Sequence, residues 1–400
     1  MDTNTAQEGP FPTHIDSDPH IKETEIAPQP EENVETLRAE VSLLREQLAV
    51  LQGEAKVDMK KYIVQLNMLT SGAAGWTDYD RKALGDEVRL VLYEVRAWCL
   101  RHARRDLPDA TELSAMGKQA IIRSLDGYLV QDLDWETLMK SVPYPFPRMM
   151  SFVLAQMVLS KEIMEKFFVN PFWYIQGEES ETEGKATSPV SCAQQLQDLY
   201  QKYLESNPLR ASRWKTETVR LSNSTLLTQA PKVELGWQTK KHREKSVSSF
   251  VSSRLSDIYF QSLLKSVGPD EAKKRADGLL KLYQLADQTA FILAHNQGYC
   301  LYKTLANVGS TFDRKSELTR AHGFHFLHDP DDSRLDGRRI LGICNPAMRL
   351  RLNSSNLEDD GLFVEAEVLV EHGDYTEEDH ARDGPKLAAE PDEKVENAED

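Results

Sequence analysis

His322, His325 and His328 recur at intervals of three in HGFHFLHDPDD and are followed by Asp329, Asp331 and Asp332. Imidazole nitrogens and carboxylate oxygens suit zinc or iron, and a catalytic centre would keep one coordination position open for water. Zinc-binding helices set their histidines four apart, as in H-E-x-x-H, whereas steps of three turn the third residue off the face of the first. The stretch reads as a polar turn that happens to hold histidines. No metal or other cofactor is assigned, and His322, His325 and His328 stand only as candidate ligands.

A second group is basic. Lys240, Lys241, Arg243 and Lys245 fall within KKHREK, with Trp214 and Trp237 nearby. Such cations could contact phosphates and exposed indoles could stack on the bases of a single strand. Glu217, Glu234 and Glu244 are interspersed, so the alternative is a solvated helix start with its tryptophans in the core. Nucleic-acid binding is carried as the second reading. Ser212 with Lys215 and Ser262 with Lys265 fit S-x-x-K, but neither has the companion motifs that would give the pair weight. The chain has no G-x-S-x-G, no Walker A sequence and no G-x-G-x-x-G after a strand. A non-enzymatic protein is expected.

Aromatic side chains concentrate in EKFFVNPFWYI, residues 165 to 175. On a wheel of 100 degrees per residue, the helix leading into it gathers Phe152, Val153, Met157, Leu159, Ile163, Met164, Phe167 and Phe168 on an arc of about 180 degrees. Lys161, Glu162, Glu165 and Lys166 take most of the opposite arc. An apolar arc this wide needs neighbours on two sides, as in the middle of a helical bundle. Pro171 stops the helix and leaves Phe172, Trp173 and Tyr174 at a corner, which either folds back on the core or presents a partner surface. Core is favoured, since large aromatics dominate burial.

The elements that would hold these groups lie between two acidic ends. The 400 residues carry a formal charge of -16. Residues 1 to 36 hold nine acidic side chains and one lysine, residues 371 to 400 hold twelve acidic and three basic, and 43 acidic against 44 basic remain between. The body is neutral. Residues 1–33 and 373–400 are too poor in apolar surface to offset chain entropy, and are expected to be disordered tails that keep the protein soluble. The start has neither the basic flank nor the apolar run of a secretory signal, and no run is long enough to span a bilayer. Cys99, Cys192, Cys300 and Cys344 are widely spaced and form no C-x-x-C pair. An intracellular protein, cytoplasmic or nuclear and without a membrane partner, is expected.

Residues 34–70 carry a heptad pattern. Val34, Val41 and Leu48 fall at position a, and Leu37, Leu44 and Leu51 at d. Glu40 at g and Arg45 at the next e are complementary between parallel strands. Gly53, Ala55 and Asp58 break the seam, and apolar spacing resumes at Met59, Tyr62, Ile63, Leu66 and Leu69. The seam pairs with a second copy or a helical partner, or docks on its own body. The acidic stretch before it rules out the basic grip of a leucine-zipper DNA binder.

Residues 76–372 read as a helical domain interrupted by a polar linker at 177–191. Leu84, Val88, Val91, Val95, Trp98 and His102 alternate by fours and threes along its clearest helix. Near the end, RILGICNPAMRLRL and LFVEAEVLVE are extended, with Val364, Ala366, Val368 and Val370 alternating with Glu365, Glu367 and Glu371 as in a half-buried strand. The RAWC helix, the NPFWYI corner and the late pairing of NPAMRLRL with FVEAEVLV resemble a group of uncharacterised filamentous-fungal proteins. The resemblance implies a charged, partly coiled N-terminus before a helical domain and a final strand pair, and brings no assigned activity. The expected fold is mainly α: a coiled-coil-like N-terminal helix, then a helical bundle with a small C-terminal β pair.

Overall fold

The computed structural model describes residues 32–70, 76–77, 79–105, 113–175, 191–327, 331–351 and 362–383. Residues 1–31 and 384–400 of the expected tails, 177–190 of the expected linker, and His328 with Asp329 lie outside the described residues. The chain divides into two units, Met1–Leu69 and Thr70–Asp400. The first contains a single described helix, α1 (Glu32–Thr70). It runs unbroken through Gly53, Ala55 and Asp58, because one glycine costs a helix only about 1 kcal/mol and strong helix formers flank it.

The second unit is mainly helical. Asp80 caps α2 (Arg81–His102) by accepting from the N–H of Ala83, and its four-and-three apolar row, Leu84 to His102, is buried. Ser114 and Asp134 cap the shorter α3 (Ala115–Ser124) and α4 (Trp135–Ser141) in the same way. Then come α5 (Phe146–Ile163), α6 (Cys192–Ser206), α7 (Pro208–Ser222), α8 (Glu234–Ser256), α9 (Ile258–Ser262) and α10 (Pro269–His295). Proline opens both α7 and α10, where its missing N–H costs nothing. Among the described residues no helix is long and apolar enough to cross a membrane.

The β structure is larger than a terminal pair. β1 (Tyr299–Lys303), β4 (Ala347–Arg351) and β5 (Leu362–Val364) form one sheet in the order β1-β4-β5. β2 (Thr319–Ala321), β3 (Ile340–Asn345) and β6 (Ala366–Val370) form another in the order β2-β6-β3. The two extended segments do pair antiparallel with each other, but each is broken, at Pro346 and at Glu365, so the ribbon passes from one sheet to the next. A proline donates no ladder hydrogen bond, which explains the first break. β6 is the middle strand of its sheet and is buried on both faces, so Glu367 is inside rather than on a wet face.

α5 is buried almost all round, with α2 against it on one side and β3 on another. The second neighbour that its wide apolar arc demands is a sheet, not a further helix. A π-helical turn at Met164–Phe168, closed by the Val169 N–H donating to the Met164 carbonyl at 2.9 Å, carries both Phe167 and Phe168 into the core. Burial on this scale traps polar side chains. The Gln156 amide donates to Glu367 Oε2 at 3.3 Å and the Ser160 hydroxyl to Asn345 Oδ1 at 2.9 Å. Glu367 accepts in turn from Arg96 at 2.9 Å and from Asn345 at 2.8 Å. The helical wheel puts Glu162 towards solvent, yet it is 6% exposed. Its carboxylate accepts from Lys166 at 2.6 Å, from the Tyr283 hydroxyl of α10 at 2.7 Å, and from Arg254 of α8.

Past β6 the chain stays attached to the body where a free tail is expected from 373. The His372 N–H donates to the Ser141 carbonyl, the Tyr144 N–H donates to the Tyr375 carbonyl, and Tyr375 is buried. A short helix, α11 (Glu377–Asp383), follows. Gly373 itself is tight: a Cβ there would stand 2.1 Å from the Lys140 carbonyl oxygen. Gly373→Ala should therefore lower stability by about 1–3 kcal/mol through forced backbone movement. A melting curve matching that of the unaltered protein would mean that 373 begins a free tail.

Burial would raise the Glu162 carboxyl, but Arg254 and Lys166 outweigh it and hold it below the usual value of 4.5. A depressed folded pKa stabilises at neutral pH and the benefit is lost as pH falls through that folded value. Glu162→Gln should cost about 3–5 kcal/mol at pH 7, because Arg254 loses its buried counter-charge. Denaturant titrations should also show that the variant's stability falls less than the parent's on acidification from pH 4.5 downward.

Candidate functional site

On α1 the described seam positions Val41, Leu44, Leu48 and Leu51 are 46–61% exposed, in a row along one side of the helix. Val34 and Leu37 belong to the same helix, but their side chains lie outside the described residues. Met59 and Tyr62 are likewise exposed, and Leu43, Val50 and Val57 widen the apolar stripe on its d side. Because α1 is continuous, spacing can be read across the apparent break. From Leu48 to Met59 and from Leu51 to Tyr62 is eleven residues each, a heptad plus the four-residue insertion of a stutter. The apolar spacing along α1 therefore continues past Gly53 with a shift of four residues.

The basic cluster lies in the interior of α8, not at a helix start, and the structure divides it. Lys240, Lys241 and Lys245 are exposed, and the Lys240 ammonium sits 5.2 Å from the ring centre of Trp237. Arg243 points inward. Its Nε and Nη2 donate to the two carboxylate oxygens of Asp287 on α10, each at 2.8 Å, and Nη1 donates to Asn223 Oδ1 at 3.0 Å. The guanidinium also lies over Phe291 at 4.8 Å and Tyr174 at 5.5 Å. Burial raises the Asp287 carboxyl and Arg243 only partly offsets this. Arg243 is thus committed to an internal ion pair and is withdrawn as a nucleic-acid contact.

His322 and His325 are core residues flanking Phe146, with ring centroids 5.4 and 4.7 Å from it. His322 Nδ1 accepts from the Phe324 N–H and His325 Nε2 from the Val370 N–H. An imidazole nitrogen that accepts from a backbone amide has spent its lone pair, and the partner ring nitrogen then carries the proton. Burial, with Arg96 and Arg320 adding to it, pushes His322 down to about 3, so the ring stays neutral. Among the described residues no three His, Cys, Asp or Glu side chains gather to hold a metal.

The aromatic corner folds back on the body. Phe172 is 0% exposed, Tyr174 is buried and Trp173 is half-buried, so this trio is withdrawn as a partner surface. Phe172 packs against Tyr200 of α6 and Trp214 of α7, Trp173 stands edge-on to Phe167 at 5.0 Å, and the Tyr174 hydroxyl accepts from Asn223 at 2.7 Å. The hairpin of α6 and α7 covers the corner that Pro171 creates.

One arrangement of the body goes unrecognised in the sequence. The S-x-x-K pair Ser212 and Lys215, with Thr216 and Arg220, shares one face of α7 at helical spacing. That face meets the carbonyl groups at the end of α10. Lys215 Nζ donates to Asn296 at 2.8 Å and Gly298 at 3.1 Å, Thr216 to Asn296 at 3.0 Å, and Arg220 Nε to His295 at 3.1 Å. The Ser212 hydroxyl donates to the Gly298 carbonyl at 2.9 Å and accepts its N–H at 2.8 Å. These are caps for a helix C-terminus. Burial pushes Lys215 down to about 8 and the neighbouring Cys300 thiol up to about 11. Both line a cavity of about 220 Å³ walled by Phe168, Tyr200, Leu204 and Tyr302. The thiol is protonated and the ammonium is bound to carbonyls, so neither is poised as a nucleophile.

No family model, curated protein or solved structure matches this chain.

Two variants separate the exposed from the buried half of the basic cluster. Arg243→Ala should destabilise the protein by about 3–5 kcal/mol, since Asp287 is left buried without its partner. Changing Lys240, Lys241 and Lys245 together to Ala should alter stability by about 0.5 kcal/mol or less, as surface positions do. Equal losses in thermal melts would refute the division.

Proposed function

We propose that this is a non-enzymatic interaction protein that associates through α1, as a parallel two-stranded coiled coil formed with a second copy of the chain. The observation carrying this reading is the row of exposed apolar side chains, Val41, Leu44, Leu48 and Leu51, continued by Met59 and Tyr62 after an eleven-residue step on one unbroken helix. A helix with such a stripe in water gains by covering it, and tertiary or quaternary burial is what stabilises most amphipathic helices. Valine at two of the three a positions with leucine at d favours two strands, and Glu40 at g can meet Arg45 at the next e only in the parallel arrangement. A helical partner of another kind would use the same seam. The intracellular setting, cytoplasmic or nuclear, and the acidic ends as solubilising tails belong to this same proposal.

The nucleic-acid alternative keeps a smaller footprint than KKHREK offers: Lys240, Lys241 and Lys245 beside the exposed Trp237, without Arg243. Three lysines on a neutral body are less than the continuous basic stripe that such binding uses.

Light scattering on the full chain should give twice the monomer mass, and Leu44→Glu with Leu48→Glu should return it to monomer while leaving the body's melting temperature unchanged. A monomeric parent chain, or a dimer indifferent to both substitutions, would remove the proposal.

A further inference from the structure

Where α2 ends and α10 begins, an open cleft of about 880 Å³ is lined by Arg104, Arg105, Lys265 and Arg275, and among the described residues by no carboxylate. Part of this charge has a structural role. The Lys265 ammonium donates to the Arg101 carbonyl at 3.0 Å and the Lys265 N–H to the His102 carbonyl, covering the negative end of α2. Arg275 is a different case. It is 5% exposed, its Nη2 donates to the Lys265 carbonyl, and its Nε is buried without any hydrogen-bond partner. Trp98 holds it from behind by donating to the Arg275 carbonyl at 3.3 Å.

A buried guanidinium edge without an acceptor is costly, and native proteins seldom tolerate one without a reason. The two described acids that open α10 do not answer it. Glu271, in the first turn of α10, is exposed and paired with Lys274 at 2.7 Å, and Asp270 beside it is exposed too. The positive field is felt next door: burial first, then Arg275, Arg101 and Lys265, push His102 down to about 4, against a smaller opposing effect of Glu271. The cap of α10, Gly268, brings no side-chain acceptor to that end of the cleft.

We propose that this cleft binds the phosphate groups of a small polyanionic ligand, with Arg275 as the fixed anchor and Arg105 and Lys265 closing around it. A phosphate presents several acceptor oxygens and more than one negative charge, which suits a fork of arginine donors better than a single carboxylate does. The volume falls in the range of small-molecule sites. Leu264 and Val267 in the wall offer apolar contact to whatever carries the phosphates. This site belongs to the helical body and is independent of the α1 seam.

Calorimetric titration of the full chain with inorganic pyrophosphate tests it. One saturable site per chain is expected. Arg105→Gln, an exposed position, and Arg275→Lys, which keeps the charge but removes Nε, should each weaken it about tenfold, as loss of one charge-assisted hydrogen bond does. Changing Lys240, Lys241 and Lys245 to Ala should leave it intact. On saturation, the His102 ring should titrate at higher pH by NMR, because the anion cancels part of the field that depresses it. No saturable heat, or an affinity indifferent to Arg105→Gln, overturns the proposal. A single-stranded oligonucleotide that binds while pyrophosphate alone gives no heat assigns the cleft to a nucleic-acid backbone and overturns the small-ligand reading.

Discussion

Burial of α5 is the constraint on which the helical body depends. A helix packed between α2 and β3 buries most of its polar side chains, which are satisfied chiefly by partners on other elements. Gln156 reaches Glu367 on β6, Ser160 reaches Asn345 on β3, and Glu162 reaches Arg254 on α8 and Tyr283 on α10. The same contacts that satisfy α5 therefore fix a sheet on one side and two helices on another. Loss of any partner leaves a polar group desolvated, which is why these pairs order the body as well as stabilise it.

The same logic dissolves the motifs that looked chemical. Arg243 in the basic run and Lys215 in the S-x-x-K pair are spoken for by internal acceptors, and one ring nitrogen each of His322 and His325 accepts from a backbone amide. In each case the group meets a helix end, a backbone amide or a buried carboxylate that would otherwise be unsatisfied. Arg275 differs from Arg243 and Lys215, because one of its buried donors has no such partner.

Much of the architecture was legible because it rests on local periodicity. The row Leu84 to His102 and the wide arc on α5 follow from side-chain spacing, which a sequence displays directly. Strands were less legible. β1 and β2 are short, and the bends at Pro346 and Glu365 that send one ribbon through two sheets depend on partners distant in the chain. Glu162 and Glu367 were misplaced for a related reason: a carboxylate's polarity argues for solvent until a specific arginine is known to await it.

By itself the sequence determined the helical character of the body, its near-zero net charge between two acidic ends, the apolar row along α1 and the absence of familiar catalytic motifs. These are properties of composition and spacing, which no fold can alter. Tertiary structure alone decided which charges are used up. It turned Arg243 towards Asp287, folded Phe172 and Tyr174 under α6 and α7, and left Arg275 buried with a donor facing no acceptor. Whether a cation is a strut or a ligand contact depends on its neighbours in space, and neighbours dozens or hundreds of residues away are beyond the reach of local pattern.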